Sequence, residues 1–306
     1  MNIKQLQLVC EMVKNDYNVS RTAEALFSTQ PGISTQLKSL EEELNVKLFK
    51  RKGKRITGLS EAGEKVHVLA EESLQNIKTI KQIGLEHTAK DSGQLAIATT
   101  HTQARYALPK VIRKFADHYP NVKLQIHQGN PTQISEMVLH GEADFAVATE
   151  TIAQYGKLAT LPVYQWNRCI IAPKGHPILA ITKPSLVDIA KYPIVTYDLA
   201  FTGRSIIDKT FAREHLSPNV VLTAIDSDVI KTYVEIGLGI GILANMAYDS
   251  EHDKNLEKID ASHLFEESTT CVGFRKGQFI RQYMYDFLYW FSNELTHDVV
   301  SQANLR

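Results

Sequence analysis

From residue 19 to 44 the chain places apolar residues at helical spacing, broken once. Ala23, Leu26 and Phe27 fall on one face of a short helix, with Ser20 placed to cap it. Ser28-Thr29-Gln30 breaks the pattern, and Pro31 follows at a first-turn position, where its missing N–H is no loss. A second helix is expected from Pro31 to about Glu43. Ile33, Leu37 and Leu40 line one face and Leu44 continues it, while Gln30, Ser34, Thr35 and Lys38 lie outward. Two short helices joined by a tight turn, with short donors and acceptors on the outer face of the second, suit insertion into a DNA major groove.

Close behind comes Phe49-Lys-Arg-Lys-Gly-Lys-Arg-Ile-Thr-Gly-Leu-Ser60, with five basic residues in positions 50–55 around Gly53. It reads as a two-stranded wing with Gly53 at the tip, its Lys and Arg placed to hold flanking phosphates. Ser60-Glu-Ala-Gly-Glu then opens a helix in the manner of a cap. Val66, Ala70, Leu74, Ile77 and Ile80 recur every three or four residues up to about Gly84. Such a helix is about 35 Å long. Its apolar stripe needs a partner surface, either a second copy or the chain's own body. His87-Thr-Ala-Lys-Asp-Ser-Gly93 reads as the hinge that follows.

Beyond the hinge, strand and helix patterns alternate. Leu95-Ala-Ile-Ala is a short apolar strand, Tyr106 to Tyr119 is amphipathic, and Val122 to Ile126 alternates. Pro131 to His140 is helical, and Asp144 to Thr149 ends in a buried strand. This order predicts an α/β fold with mainly parallel sheets. About 210 residues is large for one such sheet, so two lobes are expected.

Charge sharpens the division. Residues 1–60 hold ten Lys and Arg against six Asp and Glu, a surplus of +4; the whole chain sums to zero, so residues 61–306 carry −4. A basic amino end on a neutral-to-acidic body suits a DNA-binding module attached to a sensor. Enzyme signals are weak. Gly237-Leu-Gly-Ile-Gly241 lacks the G-x-G-x-x-G spacing and reads as a tight entry to a buried strand. The eleven histidines show no H-E-x-x-H spacing, and Cys10, Cys169 and Cys271 form no C-x-x-C. Neither a metal site nor a disulfide framework is expected, and three unpaired cysteines fit a reducing cytoplasm. Phe287-Leu-Tyr-Trp-Phe291 is far too short to span a membrane and reads as a helix face. No cationic segment leading into an apolar core precedes the body, so a cytoplasmic location is expected.

Ala23-Glu-Ala-Leu26, Ser28-Thr-Gln30, Leu40-Glu-Glu-Glu-Leu44, Leu48-Phe-Lys-Arg51 and Thr57-Gly-Leu-Ser-Glu-Ala-Gly63 resemble the LysR-type transcriptional regulators, along essentially the whole chain. Within that family, Ala98 to Pro109, Phe201 to Ser205 and Asp228 to Tyr233 are similar to the activators of cysteine biosynthesis and sulfur assimilation genes, and to a paralogous group answering to a sulfur-assimilation nucleotide. The resemblance implies an N-terminal winged helix-turn-helix over 1–59, a linker and dimerisation helix with its hinge over 60–92, and a two-lobed periplasmic-binding-protein-like effector domain over 93–306. Its first lobe would take about 93–163 plus 268–306, and its second about 164–267. Double-stranded DNA, RNA polymerase and further copies of the chain, as a dimer or tetramer, are the implied partners. The candidate DNA contacts are Ser20, Arg21, Thr29, Gln30, Pro31, Ser34, Thr35, Gln36 and Lys38, with Lys50, Arg51, Lys52, Lys54 and Arg55 of the wing. Many relatives carry Arg or Lys where this chain has Thr35, which removes a long cationic donor from a base-reading position.

Thr99-Thr100-His101-Thr102-Gln103 follows the first body strand and opens a helix. Its hydroxyls, amide and backbone N–H groups suit a carboxylate or sulfate without a cationic partner. Thr149 and Thr202 sit at similar strand-to-helix turns. By the resemblance, Thr100, Thr102, Gln103, Thr149, Trp166 and Thr202 match the effector pocket. Acetylserines are the implied inducers, with sulfate a further occupant and sulfide or thiosulfate anti-inducers. The match over Tyr164 to Arg168 favours acetylserines over the nucleotide. No cofactor beyond such an effector is implied. A periplasmic solute-binding protein explains the body alone, and an enzyme on this scaffold would need an acid–base or nucleophile constellation that the sequence does not show.

Overall fold

The computed structural model describes residues 1–53 and 55–305; Lys54 lies outside the described residues, as does the side chain of Thr202. The chain divides into two units, residues 1–84 and 85–306.

In the first unit, α1 (Ile3–Lys14), α2 (Val19–Ala25) and α3 (Gln30–Glu43) pack around Leu8, Met12, Ala23, Ile33, Leu37 and Leu40. Asn18, not Ser20, caps α2: its side-chain oxygen accepts the N–H groups of Ser20 and Arg21 at 3.0 and 3.2 Å. The extended backbone at Asn18 lets one carboxamide reach two N–H groups, and such a cap is worth about 1 kcal/mol. Thr29 caps α3 ahead of Pro31. Two expected core positions leave the core. Since α2 stops at Ala25, Phe27 turns out with φ +49 and is 100% exposed, while Leu26 alone packs inward. Leu44 is the C-cap of α3 and is 36% exposed, so the stripe ends at Leu40.

The wing follows as β1 (Phe49–Lys52) and β2 (Arg55–Leu59), antiparallel, with Gly53 at φ +63 between them. Glu41 ties α3 to it. This buried carboxylate accepts the N–H groups of Leu48 and Phe49 at 2.9 and 3.4 Å and Lys47 Nζ at 3.0 Å. Ser60 Oγ accepts from Gly63 N–H at 3.0 Å and starts α4 (Glu61–Thr88), which runs past Gly84. Along α4, Val66 packs on the core and Ala70 is buried, but Val68, Leu69, Ile80 and Ile83 are exposed.

The second unit is two α/β lobes. The first begins with β3 (Ser92–Thr99), α5 (Leu108–His118), β4 (Asn121–Gln128), α6 (Pro131–Leu139), β5 (Phe145–Thr149) and β6 (Leu158–Trp166). The chain crosses at Asn167 to β7 (Arg168–Pro173), α7 (Leu186–Ile189), β8 (Ile194–Tyr197), α8 (Thr202–Arg213), β9 (Val220–Ala224), α9 (Ser227–Glu235), β10 (Ile240–Ala244) and β11 (Leu256–Asp260). It returns with β12 (Ser268–Arg275), α10 (Gln282–Phe291) and α11 (His297–Leu305). The sheets run β4-β3-β5-β12-β6 and β11-β7-β10-β8-β9. The expectation of mainly parallel sheets is corrected: each sheet has two parallel and two antiparallel pairings. The antiparallel pairs all involve β7 or β12, the strands that arrive from the other lobe without a right-handed βαβ crossover to set their direction. The first sheet also continues past residue 163, to Trp166.

Arg168 joins the two crossover segments. It is 0% exposed, its Nη1 donates to Glu266 O and its Nη2 to Ser268 Oγ, both at 2.9 Å, and its guanidinium lies 5.2 Å from the Trp166 ring centre. Burial lowers its pKa to about 10. In the first lobe the aromatic run of α10 does form a helix face: Tyr283, Phe287 and Leu288 pack with Phe115 and Phe145. In the second, Gly239 enters β10 so close to Pro193 that a Cβ would lie 2.3 Å from its carbonyl oxygen.

Candidate functional site

The first unit carries a polar patch on the helix pair. Gln30, at the start of α3, donates from Nε2 to Ser20 Oγ at 2.6 Å, which brings two of the candidates together. The remaining N–H and the carbonyl oxygen of that amide can pair with an adenine edge. Arg21, Thr29, Pro31, Ser34, Thr35 and Lys38 are exposed, and Gln36 is half-buried. Thr29 Oγ1 accepts from Gly32 N–H at 3.2 Å, a capping role. Lys38 lies 3.5 Å from Glu42, an exposed pair worth about 0.3–0.5 kcal/mol, which a phosphate can displace. Lys50, Arg51, Lys52 and Arg55 expose their charge on the wing.

In the second unit, a cavity of about 40 Å³ lies between the lobes, lined by Thr100, Thr102, Gln103, Pro131, Thr149, Trp166, Tyr197, Phe201 and Gly203. Five of the six expected residues meet there, and Thr202 sits in the chain between two lining residues. Carboxyl ends of β3, β5, β6 and β8 and the amino ends of α6 and α8 converge, the usual place for a ligand in open α/β sheets. Phe201 gives α8 no side-chain cap, so the first N–H groups of that helix and its positive dipole end are available to an anion.

Two of the expected contacts have another task. Gln103 is 1% exposed; its Nε2 donates to Thr270 Oγ1 at 3.0 Å, and its Oε1 accepts from the Tyr164 hydroxyl. Trp166 Nε1 donates to the same Thr270 oxygen at 3.1 Å. Their polar atoms are engaged inside the wall, so they shape the cavity. The hydroxyls of Thr100 and Thr102 and the start of α8 supply its polar surface. Thr102 Oγ1 also lies 3.4 Å from Ser227 Oγ, which is 2.8 Å from the Tyr197 hydroxyl. That hydroxyl accepts from Ala244 N–H at 3.1 Å, and burial raises its pKa.

Beside the cavity, Asp228 of α9 gathers groups from the first lobe. The Tyr106 hydroxyl donates to its Oδ1 at 2.6 Å, Arg105 Nε is 3.3 Å away and His101 Nε2 3.7 Å. Lys231 Nζ, on α9 itself, lies 3.3 Å from Asp228 and 3.0 Å from Asp253. Partial burial raises the Asp228 pKa, but the Tyr106 hydroxyl and the Lys231 ammonium outweigh it and hold the carboxyl below its ordinary value. Burial and the bond to Asp228 push Tyr106 up to about 12, so it remains a donor near neutrality.

Sequence reasoning missed Pro131, Tyr197, Phe201, Gly203 and Thr270. Tyr197 was findable: Ile194-Val-Thr-Tyr197 is a buried strand ending in a hydroxyl, as Phe145 to Thr149 is. Thr270 lies mid-strand, far in sequence from both donors, and gave no signal. Among the described residues no group of His, Cys, Asp or Glu could hold a metal, and no helix is long and apolar enough to cross a membrane. Burial raises the thiols of Cys10 and Cys169 to about 12 and that of Cys271 to about 11, which leaves them unreactive.

A winged helix-turn-helix and a two-lobed body with a cleft cavity, carried on one chain, define a ligand-responsive DNA-binding regulator. The profile "Bacterial regulatory helix-turn-helix protein, lysR family" matches residues 3–64, and "LysR substrate binding domain" matches residues 88–296. The chain belongs to the LysR family of transcriptional regulators and is not an enzyme. It is 50% identical over 295 residues to the HTH-type transcriptional regulator SsuR of Burkholderia cenocepacia, covering 96% of each chain. It is 44% identical over 303 residues to the regulator CysB of the same organism, covering 99% of this chain and 97% of that one. The solved cofactor-binding domain of the Cbl transcriptional regulator superposes with a TM-score of 0.68 at 41% identity, covering 70% of this chain and 94% of that one.

Proposed function

We propose that this regulator controls cysteine biosynthesis and sulfur assimilation genes in response to a small anion or zwitterion held between the lobes, with O-acetylserine or N-acetylserine as inducer and sulfate-type anions as further occupants. The observation that carries the anionic part of this reading is the cavity; the acetylserines rest on the 44% identity to CysB. About 40 Å³ accommodates roughly three water-sized groups at 10–15 Å³ each, the size of a sulfate or a carboxylate with its first carbon. Threonine hydroxyls and a helix amino end face it, and among the described residues no cationic side chain lines it, which suits an anion that must be released again. A ligand that prefers one lobe arrangement shifts the relative placement of paired DNA-binding units. A coupling of about 1–3 kcal/mol is enough to redistribute binding between half-sites.

A homo-oligomer, dimer or tetramer, is part of the proposal. The exposed Val68, Leu69, Ile80 and Ile83 of α4 need cover, and so do Ile126 on the edge strand β4 and Val221 on the edge strand β9. RNA polymerase is the proposed further partner, and the cytoplasm, where promoters are, the proposed location. A second reading, a Cbl-like regulator of sulfate-starvation and organosulfur genes with a different effector, is supported by the 41% identity with the Cbl domain and by a match to SsuR that exceeds the one to CysB.

Fluorescence anisotropy on a sulfur-assimilation promoter fragment at fixed salt, with and without each acetylserine or sulfate, separates these. Specific binding altered by an acetylserine supports the first reading. Specific binding that neither acetylserine moves favours the second. Binding no tighter than to random duplex removes the promoter assignment.

A further inference from the structure

At Phe27 the sequence works against the fold of the DNA-binding unit. Its φ of +49 is a left-handed conformation that Gly or Asn adopts readily and that a bulky L-residue adopts only under strain. Strain of this kind is normally offset by a buried side chain. Phe27 has no such compensation, being 100% exposed, while its neighbour Leu26 packs on the core. The backbone bonds that hold the turn, Phe27 N–H to Glu24 O at 3.1 Å and Ser28 N–H to Ala23 O at 2.8 Å, involve no side chain. Those two bonds close α2 and account for the left-handed backbone, but they give no reason for an aromatic where Gly or Asn is usual, and a strained, fully exposed ring points to a functional demand.

Position identifies what that demand is. Phe27 directly precedes Ser28, the cap Thr29 and Gln30, whose amide joins Ser20 in the exposed patch at the start of α3. Residues 25–40 contain no carboxylate, so nothing on this stretch repels phosphate. The ring is therefore fully exposed two residues before the cap of α3, in the turn that leads into the exposed patch. The apolar feature offered by a base edge in the major groove is the thymine C5-methyl group.

We infer that Phe27 reads DNA sequence through an apolar contact with a thymine methyl group. The inference rests on the DNA-binding role of the unit. In the test, the full-length protein selects duplexes from a randomised library, and each thymine of the preferred duplex is then replaced in turn by deoxyuridine. Wild type should lose about fourfold in affinity at one position, the worth of one buried methyl group. Phe27→Asn should bind the parent duplex more weakly by a similar factor and be indifferent to uridine at that position. Its unfolding midpoint should be no lower than wild type, because Asn tolerates the left-handed backbone; a merely structural ring would lower it. Phe27→Leu should retain part of the uridine effect.

An unchanged selection by Phe27→Asn, with the same uridine sensitivity, overturns the inference and leaves the DNA-reading role of α3 intact. Equal losses on selected and random duplexes also overturn it, pointing to a backbone or subunit contact. A wild type that selects no sequence overturns it together with the sequence-reading role of the unit.

Discussion

At the floor of the cleft one hydroxyl holds two side chains in place: Thr270 accepts from Gln103 Nε2 and Trp166 Nε1 while itself 0% exposed. Replacing it with valine keeps the shape and removes the acceptor, leaving the buried Gln103 N–H unpaired at a cost of about 1–3 kcal/mol and the half-buried Trp166 N–H without its partner. Thr270→Val should weaken effector binding by about tenfold and leave DNA binding without effector unchanged, read by titrating sulfate or acetylserine against the anisotropy signal. Unaltered effector affinity would remove Thr270 from the wall. The threonines at strand ends were legible because the position, after an apolar strand and before a helix, is written in the local sequence. Thr270 was not, since its importance comes from two partners 167 and 104 residues away.

Between elements, the first unit depends on close contact between α4 and the wing. A Cβ on Gly63 would lie 1.9 Å from the Leu48 carbonyl oxygen, a backbone atom that cannot step aside. Gly63→Ala should therefore destabilise this unit by about 1–3 kcal/mol, although alanine is the better helix former. Thermal or denaturant unfolding checks it, and a neutral or stabilising result would show that α4 can shift. The two helices of the helix-turn-helix were visible in the apolar spacing. Their ends were less so. Ser20 and Asn18 are both capping residues, and the backbone at Asn18 decided between them. Phe27 and Leu44 continued the apolar spacing, but each helix had already stopped, and a residue past a helix end no longer lies on its face.

For the effector body as a whole, Asp228 is the charged contact that ties α9 to the segment after β3. Its carboxyl titrates below the ordinary value of 3.8, so the stabilisation it gives is complete above pH 3.8 and is lost as pH falls through the lowered folded value. Asp228→Asn should lower the unfolding midpoint by an amount that stays constant above that pH. Below it, the difference between variant and wild type should shrink. A gap of the same size at every pH would mean that the charge contributes nothing and the Tyr106 hydrogen bond alone carries the contact.

The sequence by itself determined the division into a basic reading head and a sensing body, the helix pair, the wing and the strand-end threonines. Each is written in spacing, charge or turn chemistry within a few residues. Tertiary structure decided the rest. It made Gln103 and Trp166 members of a wall and brought Tyr197 and Gly203 to the cavity from the second lobe. It also set half of each sheet antiparallel and turned Phe27 outward. The physical reason is common to all four: they depend on residues that meet only after the chain has crossed between lobes or on where a helix stops, and no local pattern encodes either.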